Sequence, residues 1–183
     1  QNTRFRLAEI KRRQNQAAQA APFLRRALEL DPGNWAALQA TLEAQMAEGD
    51  YQGALNTRRA MINHAPSDDV KFDLFVESGR LFRERLNDPS KAVIAFQRAL
   101  ELRPREPAVL HRLLDLYTER RQWREAVAIV DQVVEVEIDP SRRARYHYTA
   151  AVLLRDELGA VDAALERFDR VLADDPTVLK AFQ

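Results

Sequence analysis

The sequence predicts an all-α protein, a right-handed superhelical solenoid of antiparallel helix pairs that runs as a single array through all 183 residues. Three observations carry that prediction. Segments that read as amphipathic helices close on prolines at Pro32, Pro66, Pro104, Pro140 and Pro176, spaced 34, 38, 36 and 36 residues apart. The stretch 81–104 lies without a gap on 153–176 after a shift of 72, pairing Leu86 with Leu158, Ala92 with Ala164, Phe96 with Phe168, Leu100 with Leu172 and Pro104 with Pro176. The matched apolar positions fall three or four residues apart, which describes one buried helix face. A fixed period of this length marks small helical units that stack on their neighbours.

The units take the boundaries 1–32, 33–66, 67–104, 105–140 and 141–176, with the start of a further unit at 177–183. In the first, Pro22 falls where the middle of the second helix should be. That helix is either kinked at Pro22 or starts, or restarts, there with the proline in its first turn. In the second, Glu48-Gly49-Asp50 separates a helix over Ala37–Ala47 from one over Tyr51–Asn63. Gly ends one helix cheaply and Asp can cap the next. The third and fifth units have room for longer first helices. Asp68-Asp69 favours the start of the third unit's first helix through the helix dipole. In the fourth, Glu106 to Arg120 carries Val109, Leu110, Leu113, Leu114 and Tyr117 as one stripe, and a break near Arg120–Gln122 precedes a second stripe of Trp123, Ala126, Val127, Val130, Val133 and Val134. Two extra residues surround Glu137-Ile138-Asp139. Each closing proline is expected to stop the second helix of its unit, since it lacks an N–H and disfavours helix before it.

Composition excludes several function classes. There are 28 basic and 28 acidic side chains, whereas a protein that tracks a phosphate backbone normally carries a positive excess, so no nucleic acid is expected as partner. The absence of cysteine removes disulfides, thiolate nucleophiles and Cys-based zinc sites. No apolar run reaches the ~20 residues that span a bilayer. His64, His111 and His147 fall in three different units with no i, i+4 pairing for a metal, and each is expected at the surface or in a groove. No glycine-rich phosphate loop and no convergent acid–base pair stand out, so no catalytic residue, cofactor or metal is expected and the segment is not an enzyme. Arg12-Arg13 and Arg25-Arg26 sit in a first unit of seven basic and three acidic residues, consistent with an array end. The arginine-rich, cysteine-free composition points to a bacterial protein of the cytoplasm or periplasm.

With Gly49-Asp50-Tyr51, Ala54 and Pro66, then Ala92, Phe96, Ala99 and Pro104, then Leu110, Leu113, Tyr117, Trp123 and Ala126, then Ala164, Phe168 and Pro176, the chain resembles the tetratricopeptide repeat family. These residues match four of about five repeats, the first being the weakest, and Phe182 stands where the first aromatic of a sixth would fall. The resemblance implies that the first helix of each unit lines a concave groove. Its outward positions are then the candidate partner-binding residues: Gln39, Glu43, Val76, Arg80, Arg83, His111, Arg112, Asp115, Tyr148 and Arg155, with a basic cluster at Arg80, Arg83 and Arg112. Members that clamp an acidic chaperone tail use Lys and Asn at set places, which here carry Gln39, Glu43, Glu77, Ala108 and Arg112. Only Arg112 fits and Glu77 would repel a carboxylate, so no tail clamp is expected.

The implied function is a protein–protein interaction scaffold gripping a segment of a partner protein or peptide. The alternative is a regulatory or substrate-selecting region of a larger enzyme or membrane-anchored assembly factor, since the broken-off sixth unit makes the chain read as an excerpt of a longer protein. Apolar array ends also allow self-association.

Overall fold

The computed structural model describes residues 19–177. Those residues form helices and connecting turns, with no strand among them. Helix α1 covers 19–30. It is followed by α2 (Trp35–Glu48), α3 (Tyr51–Asn63), α4 (Asp68–Glu84), α5 (Pro89–Leu102), α6 (Pro107–Glu119), α7 (Trp123–Val136), α8 (Pro140–Val152) and α9 (Val161–Asp174), with a π turn over Leu153–Glu157 extending α8. Two compact units, 1–95 and 96–183, meet in the middle of α5. Arg12-Arg13, Phe182 and the other residues of the expected sixth repeat beyond Thr177 lie outside the described residues. The chain is already helical at residue 19, so this helix does not begin at Pro22.

The caps explain where helices start. Side chains of Asn34, Asp50 and Ser67 accept from the backbone N–H groups of Ala37, Gly53 and Val70, three residues on. Asp88 does the same for Lys91 at 3.0 Å, and Asp139 accepts from Ser141 and Arg142. Each satisfies a donor that the first helical turn would otherwise leave orphaned. Asp68 and Asp69 sit in the first turn of α4, as expected from the dipole. Between the helices of a pair the backbone repeats one device: a single residue with positive φ at Gly49 (77°), Asn87 (48°), Arg121 (55°) and Gly159 (63°), followed immediately by the N-cap position of the next helix, where Asp50 and Asp88 make a side-chain cap bond and Gln122 and Ala160 do not.

Pro32, Pro66, Pro104 and Pro176 lie one to three residues past a helix end. Pro140 does not. Helix α7 has already ended at Val136, and Pro140 is the first residue of α8, a place where its missing N–H costs nothing.

The core is built from small and large residues in alternation. Ala54, Ala92 and Ala126 are 0% exposed and Ala164 is 2% exposed. Each stands five residues after a positive-φ residue, so every second helix presents a methyl group at the same height. That lets the paired helix approach to the short end of the ~8–10 Å range. In the first unit Leu38, Met61 and Leu74 form one cluster across α2, α3 and α4, and Ala54, Leu55 and Leu81 a second. Arg58 is also buried there and donates to the Glu77 carbonyl at 2.9 Å. Burial holds its guanidinium below the usual value, partly offset by the Glu77 carboxylate. In the second unit Phe96, Leu110, Leu113, Leu116, Val130 and Val133 are almost wholly inaccessible. Leu172, matched to Leu100 on the buried face, is 44% exposed. Among the described residues no helix follows α9 to cover it.

Candidate partner-binding face

The outward positions of the first helices are set by what the inward ones bury. On α2, Ala37 and Leu38 turn inward while Gln39 and Glu43, one turn apart, are exposed. On α4, Phe72, Leu74, Ser78 and Leu81 are buried. Arg80 is exposed, and Val76 and Arg83 are half-buried beside it. The basic character of this stretch is reduced by Glu77, whose carboxylate accepts from Arg80 at 2.9 Å. The cluster expected at Arg80, Arg83 and Arg112 thus contains an internal ion pair, and such exposed pairs are worth little.

In the second unit α6 and α8 bring two chemistries together. Exposed His111 meets half-buried Tyr146, with ring centroids 5.8 Å apart and the phenol oxygen 3.4 Å from Nε2. Asp115 is exposed one turn further along α6, and Thr149 is exposed on α8. Arg112 is half-buried and lies 5.9 Å over the Phe96 ring, toward α5.

Tyr148, read as an outward residue, is half-buried against α9, while Arg155 is exposed beside the same helix. Tyr148 meets Phe168 edge-on at 5.8 Å and packs against Ala144 and Val171, and the Arg155 guanidinium is 5.9 Å from the same Phe168 ring while pairing with Asp156. The reason is register. Buried Leu110, Leu113, Leu116 and Tyr117 of α6 overlay buried Ala144, His147, Ala150 and Ala151 of α8 at a shift of 34, not 36. The extra residues of the fifth repeat are taken up at the end of its first helix, where the π turn sits. Tyr146 therefore occupies the place of Arg112. Sequence reasoning passed over it, although its position 35 residues after His111 was the available signal.

His147 also departs from expectation. It is 4% exposed and sits among Arg167, Asp174 and Arg143. Burial, then the neighbouring Arg167, hold its imidazole below the ordinary value, against the pull of Asp174.

A second concavity lies on the other side of α6. An open cleft of about 500 Å³ is floored by Leu113 and Tyr117 and walled by Gln97 and Leu100 of α5 and Ile129 and Gln132 of α7. The Tyr117 phenol accepts from Gln97 at 2.7 Å, and burial pushes its ionisation up. Residues spread from 97 to 132 form it, so no local motif announced it. Among the described residues no group of three or more His, Asp or Glu side chains is placed to hold a metal, and no helix is long and apolar enough to cross a membrane.

Known proteins fit this architecture. The tetratricopeptide repeat pattern matches residues 11–71 and again residues 111–178. No curated protein matches the chain. Among solved structures, YrrB, a tetratricopeptide protein, is 23% identical over 88% of this chain and 79% of its own, with a TM-score of 0.51. MamA is 18% identical over 93% and 95%, with a TM-score of 0.50. A tetratricopeptide repeat protein from Parabacteroides merdae ATCC 43184 is 19% identical over 76% of this chain and 52% of its own, with a TM-score of 0.52. At these identities the likeness is one of fold. With two matched repeat stretches, capped helix pairs and a buried alanine in each second helix from α3 to α9, the chain belongs to the tetratricopeptide repeat family.

Proposed function

We propose that this chain is a non-catalytic scaffold that binds a segment of a partner protein along the outward faces of its first helices. The single observation that carries this reading is the His111–Tyr146 pair. Two amphipathic rings from consecutive first helices stand together at the surface, where Asp115 and Thr149 add polar groups. Aromatic side chains of this kind supply large contact area at low entropic cost and dominate many interfaces. YrrB is described as having an unusual peptide-binding site, which supports a peptide as the class of partner. Arg112 extends the proposed face along α6, and Gln39, Glu43, Arg80 and Arg83 hold the outward positions of α2 and α4 in the other unit.

The test is affinity capture by the protein in its full natural length, comparing wild type with His111→Ala/Tyr146→Ala and with Arg80→Glu/Arg112→Glu. A partner held by wild type and weakened about tenfold or more by the ring pair, with melting unchanged, is the expected result. A partner retained by both variants would move binding to the cleft between α5 and α7 and end this reading.

A further inference from the structure

Helices α7, α8 and α9 are joined by one polar network whose centre is a histidine. Asp174 on α9 takes both nitrogens of the Arg143 guanidinium on α8, at 2.9 and 2.6 Å. Asp131 on α7 pairs with Arg167 on α9. Between these two pairs lies His147 of α8, buried, with Arg167 3.4 Å from Nδ1 and the Asp174 carboxylate 3.8 Å from Nε2. An arginine can only donate. Nδ1 must therefore accept, and the ring proton sits on Nε2, facing Asp174. The Arg167 contact requires the neutral imidazole, whereas the Nε2–H that faces Asp174 is present in either form.

We propose that His147 is an acid-sensitive latch: neutral, it closes the network that fastens α9 to α7 and α8, and protonated, it releases α9. The charged groups around it are Asp131 from α7, Arg167, Arg170 and Asp174 from α9, and Arg143 from its own helix. A proton on Nδ1 adds a positive charge and sets an N–H donor against the Arg167 guanidinium. Asp174 and Asp131 draw the proton the other way, but each already pairs with an arginine, Asp174 with Arg143 and Asp131 with Arg167. Protonation therefore exchanges an accepted hydrogen bond for a like-charge contact in a poorly solvated place. His64 and His111, by contrast, are exposed.

The sign follows from linkage. The folded state disfavours the protonated ring, so the latch's contribution is complete above the unfolded histidine value of about 6.5 and is lost as pH falls below it. Two measurements on the whole chain test this. Imidazole resonances are titrated by NMR, with His64→Gln and His111→Gln used for assignment. Hydrogen exchange is measured at pH 7.5 and 5.5, corrected for intrinsic rates. His147 is expected to protonate below the ordinary histidine value of about 6.5. Protection in α9 is expected to fall by up to about tenfold per pH unit while protection in α2 and α3 holds. In His147→Gln, which keeps a neutral acceptor, that pH response is expected to flatten. A His147 that protonates at or above about pH 6.5, or an α9 response unchanged in the variant, overturns the latch. If His147→Gln does not fold, unchanged α9 protection between the two pH values in wild type overturns it alone.

Discussion

At the residue scale, four turns ask for a left-handed residue and two of them do not receive glycine. Gly49 and Gly159 meet the requirement without strain, and a Cβ on either would touch nothing, so the cost of adding one is purely conformational. Asn87 is among the side chains that tolerate this region. Arg121 is not, and its left-handed backbone costs about 1–2 kcal/mol. Arg121→Gly is therefore expected to stabilise the protein by about 0.5–1 kcal/mol once the greater freedom of glycine in the unfolded chain is subtracted. Gly159→Ala is expected to destabilise it by about 1 kcal/mol. Urea denaturation of both variants checks the pair, and equal midpoints would remove the backbone argument. Charge at this scale has its own signature. Hydrogen bonding from Arg143 holds the Asp174 carboxyl below the ordinary carboxylate range. Its contribution to stability is thus present above that range and lost as pH drops below about 4. That window is well separated from the one assigned to His147, so a melting-temperature profile against pH should show two distinct declines.

At the element scale, the recurring alanine decides how closely two helices of a pair can lie. Ala126 is wholly buried in α7, so a long cation there would bring its charge into the helix interface. Ala126→Arg, like Ala92→Arg on α5, is expected to cost about 3–5 kcal/mol, as an uncompensated buried charge does. Circular dichroism and melting would show the loss, and unchanged curves would mean that the helices are paired otherwise. Leu113→Ala tests the opposite change. It deletes a fully buried side chain that also floors the open cleft, and about 2–5 kcal/mol of destabilisation is expected by denaturation. The length differences among first helices belong to this scale too. Spacings of 34 to 38 residues were visible as proline positions, but not where the surplus would go. In α8 it went into a π turn at the C-terminal end, leaving the core register of the earlier turns at 34. A residue count alone put Tyr148 on the outer face, and the geometry put Tyr146 there.

At the scale of the whole molecule, equal numbers of acidic and basic residues leave no long-range field to steer a strongly charged partner. The places for an acidic-tail clamp hold Gln39, Glu43, Glu77, Ala108 and Arg112. No measurable affinity is expected in calorimetry for a peptide ending in aspartate, and tight binding would require a clamp built from other residues. The helix pairs, the cap at Asp50 and the recurring alanines were legible in the sequence because each rests on contacts within one or two repeats. Propensity, capping and a three-to-four-residue apolar period act over that distance. What only the tertiary structure decided was the destination of the polar side chains. Buried His147, its contacts with Arg167 and Asp174, the turn of Tyr148 toward Phe168 and the meeting of His111 with Tyr146 all join residues 20 to 35 positions apart. At that range one extra residue in a helix rotates every later side chain by about 100°, so the register of the core, and not the motif, determines which residues face a partner.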